Sequence, residues 1–84
     1  MSDDELLAKF ASMVEIARTE RKLSFRQLER LNGQYVTYAN IHEIESYRTK
    51  KGPPLLTVLI LAKALDLDLN SLRDQVLLRS QSYP

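Results

Sequence analysis

Cysteine is absent from these 84 residues, which excludes a disulfide framework and any thiolate metal site and fits a reducing cytosol. Histidine occurs once, at His42, and a lone imidazole with no cysteine or second histidine beside it forms no metal-ligand set. With only two glycines, four tyrosines, two phenylalanines and no tryptophan, but frequent Leu and Ala, the composition favours helices over a β-rich fold. No apolar run approaches the length that spans a bilayer. The opening Met1-Ser2-Asp3-Asp4-Glu5 is acidic where a secretory signal is basic, so the expected location is the cytoplasm and no membrane partner is expected. No nucleophile–base pairing, phosphate-binding glycine loop or metal-ligand spacing is present, so neither an enzyme nor a cofactor is expected. Eighty-four residues without a repeat, low-complexity stretch or long linker predict one small domain over 1–84.

The net charge of +1 says little, but its distribution says more. Residues 1–17 carry a net −3 and residues 18–51 a net +4, from Arg18, Arg21, Lys22, Arg26, Arg30, Arg48, Lys50 and Lys51 against four glutamates. Residues 52–84 balance at zero. The middle of the chain is therefore the part suited to a polyanion.

Periodicity and capping signals predict five helices over about 3–22, 25–31, 38–46, 55–65 and 71–80. Ser2 with Glu5 caps the first, whose inward stripe is Leu6, Phe10, Met13, Val14 and Ala17. Ser24-Phe25-Arg26-Gln27 has the capping-box pattern, and Asn32-Gly33 ends the second helix. Thr37 caps the third, in which Ile41 and Ile44 point inward. Tyr38, Ala39, His42 and Glu43 then fall at i, i+1, i+4 and i+5 and share the outer face. Tyr47 to Pro54 reads as a basic loop closed by Gly52-Pro53-Pro54. In the fourth helix Leu55, Val58, Leu59, Ala62 and Leu65 supply an inward stripe. Leu56 and Ile60 lie one turn apart on a neighbouring face, and Leu61, Val76, Leu77 and Leu78 add further apolar surface. Such a surplus marks an interface, assigned here to Leu56, Ile60 and Leu78 of a symmetric homodimer; the alternative is a wider core covered by the fifth helix.

Two short helices joined by a glycine-containing turn form the unit that presents one helix to a DNA major groove. From Val14 to Leu72 the chain resembles the helix-turn-helix family of phage repressor and Cro proteins. The resemblance rests on Arg18, Leu23-Ser24, Ile41, Ile44-Glu45, Pro53, Leu55, the Val58–Leu65 segment and Asp68-Leu69-Asn70-Ser71-Leu72, in that order and spacing. It implies a compact five-helix, lambda-repressor-like bundle and a dimeric transcription regulator that binds double-stranded DNA at the nucleoid. A toxin-pair antitoxin or a restriction–modification controller would use the same fold. From a different class, so would a protein-interaction module that has lost DNA binding.

The resemblance further implies that Arg18 pairs with Glu45, locking the first helix to the third, and a directional Arg–carboxylate pair suits that task. The expected base contacts are Tyr38, Ala39, Asn40, His42 and Glu43. Asn can pair bidentately with adenine, Ala can touch a thymine methyl, and Glu can accept from cytosine. The expected phosphate contacts are Arg26, Gln27, Gln34, Tyr35, Thr37, Arg48, Thr49, Lys50 and Lys51, and the two lysines could also reach a minor groove. Three positions depart from the family pattern. Phe25 stands where many relatives have a DNA-contacting Gln, Gln34-Tyr35 lengthen the turn, and Tyr47 replaces a capping Gly.

Overall fold

The computed structural model describes residues 3–46, 52–70 and 72. Among these residues the chain is all-α, with helices α1 (Asp3–Glu20), α2 (Phe25–Leu31), α3 (Tyr38–Glu45) and α4 (Leu55–Leu65). The helix expected over 71–80 lies outside the described residues apart from Leu72, as do the Ser2 cap, Tyr47 and the basic stretch 48–51.

The helices end through left-handed residues more often than glycine content suggests. α1 stops at Glu20, two residues short of the expected boundary, because Lys22 adopts φ 56. The Lys22 N–H then bonds the Thr19 carbonyl at 3.0 Å and the Leu23 N–H bonds the Arg18 carbonyl at 3.0 Å. These two bonds satisfy carbonyls that the helix terminus would otherwise leave open. At the end of α2 the same pattern recurs with Gly33 at φ 78: Gly33 bonds back to Arg30 and Gln34 to Glu29. Asp66, at φ 53, closes α4. α3 ends one residue earlier than expected, with Ser46 as its C-cap donating both its N–H and its hydroxyl to the His42 carbonyl.

The core gathers Phe10 and Val14 of α1, Leu28 of α2, Val36, Ile41 and Ile44 around α3, and Leu61 and Leu65 of α4. Fully burying side chains such as Leu28, Ile41, Leu61 and Leu65 contributes roughly 1.5–3 kcal/mol each, so the core is the principal stabilising term. α2 packs on α3, while α1 packs on both α3 and α4. Gly52, at φ 74, lies so close to α1 that a Cβ there would sit 2.6 Å from Leu7 Cδ2.

The orientation of α4 differs from the sequence reading. Leu61 is completely buried, whereas Leu55 and Leu59, expected inward, are 73% and 51% exposed. Ile60, expected on an outer face, is half-buried against the core, while Leu56 is exposed. α4 is apolar nearly all round, so hydrophobic periodicity alone could not set its rotation.

Between α2 and α3, Asn32 is the buried polar residue that holds the connection together. Its Nδ2 donates to the Leu28 and Val36 carbonyls, each at 3.0 Å, and its Oδ1 accepts the Val36 N–H at 3.0 Å. One side-chain amide thus ties the last turn of α2 to the segment of chain entering α3, and both its nitrogen and its oxygen have partners. Asn32→Ala should destabilise the fold by about 2–3 kcal/mol, because it strands the N–H and carbonyl of Val36, while the Leu28 carbonyl keeps the Asn32 backbone N–H. Urea unfolding followed by circular dichroism measures it; a loss under about 0.5 kcal/mol would contradict this role.

Candidate functional site

α2 begins with a complete capping box. Ser24 Oγ accepts the Gln27 N–H at 3.1 Å, and Gln27 Oε1 accepts the Ser24 N–H at 2.7 Å. α3 begins with Thr37, whose Oγ accepts the Asn40 N–H at 3.2 Å. The side chain of Glu29 also reaches across the turn and accepts the Tyr38 N–H at 2.7 Å. The start of α3 is therefore held both by its own cap and by α2.

The inner side of this helix pair is fastened to α1 through Arg18. Its Nε donates to Glu45 Oε2 at 2.7 Å, and its second terminal nitrogen donates to Oε1 at 2.9 Å. The remaining terminal nitrogen donates to the Leu23 carbonyl at 2.8 Å. The two side chains are only 13% and 6% exposed. The hydrogen bond to Glu45 raises the Arg18 pKa above its ordinary value and outweighs the opposing effect of burial. The same guanidinium lies 4.2 Å above the ring of Phe25, and that ring meets His42 edge-on at 5.3 Å. Phe25, the departure from the expected Gln, thus fills the space between a cation of α1 and the outer face of α3 with a favourable ring quadrupole.

Outward from this anchored surface α3 exposes Tyr38, Ala39, His42 and Glu43. Asn40 is half-buried at the flank, with its backbone N–H held by Thr37. Tyr38 is 42% exposed, and the guanidinium of Arg26 sits 4.3 Å over its ring. Gln27 is exposed but spends its Oε1 on the capping box. Gln34, at φ 67, and Tyr35 are exposed on the turn. Tyr35 also lines an apolar groove with Leu31, Leu59 and Ile60, between the end of α2 and α4. Arg48, Thr49, Lys50 and Lys51, and Leu78 of the expected dimer face, lie outside the described residues.

Two residues central to this surface escaped the sequence reading. In the sequence Asn32 reads only as a turn signal, and Glu29 only as one of the charges of the middle segment. A charged residue late in a short helix ordinarily points to solvent, and nothing local shows that the turn folds α3's first N–H back to it. Among the described residues no cluster of His, Asp or Glu could hold a metal ion, and no helix is long and apolar enough to cross a membrane. No protein-family model matches this sequence, and comparisons with curated proteins and with solved structures found no match either.

Removing Glu45 takes both carboxylate hydrogen bonds from a largely desolvated Arg18 and leaves its guanidinium the Leu23 carbonyl, the Phe25 ring and the more distant charge of Glu15. Glu45→Ala should therefore cost about 3 kcal/mol, and a double-mutant cycle with Arg18→Ala should show coupling above about 0.5 kcal/mol, the lower bound for groups in one network. Additive effects in that cycle would mean the two charges stabilise the fold independently.

Proposed function

We propose that this protein is a sequence-specific, double-stranded DNA-binding transcription regulator of the repressor type, acting as a homodimer at the nucleoid. In this reading α2, the turn and α3 form a helix-turn-helix within a five-helix, repressor-like bundle, and α3 enters the major groove. One observation carries the proposal. A short, doubly fastened helix is locked to the body by Arg18–Glu45 on one side and presents Tyr38, Ala39, His42 and Glu43 on the other. A rigid helix with a polar and aromatic outer face, next to the exposed cation Arg26, has the features that groove reading requires.

Anchoring and reading fall to different residues. Phosphates attract Arg26 and the basic stretch 48–51 without regard to sequence, while base edges are sampled by the outer face of α3. The exposed apolar residues Leu55, Leu56 and Leu59 of α4 support self-association, since a second copy would bury them, and a two-fold dimer would demand half-sites about one DNA turn, ~34 Å, apart. The same exposed residues favour a second reading, a protein-interaction module whose partner covers α4.

Binding to duplexes selected from a random library tests the proposal. Tyr38→Ala or Asn40→Ala should cost roughly 1–3 kcal/mol on the selected site and little on random duplex. Unchanged specific affinity in both variants would remove α3 as the reader. Leu56→Glu should yield a helical monomer in sedimentation, because a carboxylate resists desolvation in an apolar interface. A wild type that is already monomeric at high micromolar concentration would rule out the dimer.

A further inference from the structure

The contact between Glu29 and the start of α3 has a consequence for DNA binding beyond holding the turn. The first amides of a helix carry partial positive charge and favour anions, and a helix presented end-first to DNA offers that end to phosphate. Here two of the first three amides are already occupied from within: Glu29 Oε1 holds the Tyr38 N–H at 2.7 Å and Thr37 Oγ holds that of Asn40. Among the described residues no cation lies within salt-bridge distance of Glu29, so its charge is answered by the helix end rather than by an ion pair.

Resting on the DNA-reading function above, we propose that Glu29 is a specificity-determining residue that blocks phosphate from the N-terminus of α3. The two modes of DNA binding should feel this block differently. A base-reading pose holds α3 by Tyr38, Ala39, His42 and Glu43 and leaves the Glu29 clasp in place. A non-reading pose depends on phosphate neutralisation alone and gains from every positive group it can reach. A fixed negative charge at the helix end therefore penalises the non-reading pose more.

Glu29→Gln keeps an acceptor for the Tyr38 N–H and removes the charge. The experiment measures affinity for a random duplex and for a library-selected duplex across a salt series, with thermal unfolding alongside. Glu29→Gln should melt close to wild type, bind random duplex about two- to fivefold more tightly at low ionic strength, and lose that gain as salt screens the charge. Its ratio of selected to random affinity should fall. Glu29→Ala, which loses the acceptor too, should melt lower and still bind random duplex more tightly. If wild type binds duplex DNA and neither variant binds random duplex better, Glu29 has only a structural role and the inference is overturned. If wild type binds no duplex at all, the DNA-reading function fails, and this inference with it.

Discussion

The guanidinium of Arg18 is the contact on which the arrangement of the other elements depends. It takes both oxygens of Glu45 at the end of α3, the carbonyl of Leu23 before α2, and the face of Phe25 at the start of α2. A planar fork with donors in fixed directions can bind three elements at once only when each is correctly placed. A lysine ammonium would keep the charge and lose the directionality. Because the pair is largely desolvated, its net worth is small beside the cost of breaking it, so it acts as a constraint on geometry more than a source of stability.

Two smaller clasps complete what Arg18 begins. Asn32 closes the connection from inside by matching the backbone of Val36, and Glu29 closes it from outside by taking the Tyr38 N–H. Residues 32–37 could otherwise fold in many ways, with Gly33 and Gln34 both left-handed. The clasps convert that freedom into one orientation of α3. Its outer face is then presented without the entropy cost of ordering a loop on binding.

Much of this was legible in the sequence because it is local. The Ser24–Gln27 box and the Thr37 cap declare themselves within four residues, and the inward positions Ile41 and Ile44 follow from helical spacing. What was hidden depends on contacts distant in sequence or on conformations the residue type does not advertise. Lys22 and Asp66 end helices in the left-handed region with no glycine to signal it. The rotation of α4 differs from the helical spacing at Leu55, Leu59, Ile60 and Leu61, since a helix without a polar face carries no phase information and takes its orientation from the core it meets. The long reach of Glu29 to Tyr38, nine residues on, has no local signature.

The outer face of α3 and the apolar face of α4 are distinct surfaces, and the account assigns the first to DNA. Amide chemical shifts of the isotopically labelled protein, followed through a titration with duplex DNA at low salt, test that assignment most directly. The account predicts that the largest shifts fall on α3, from Tyr38 to Glu43, and on Arg26 and Gln27, and that they reverse on adding salt. Shifts that are absent, or that centre on Leu31, Leu59 and Lys63 instead, would contradict it.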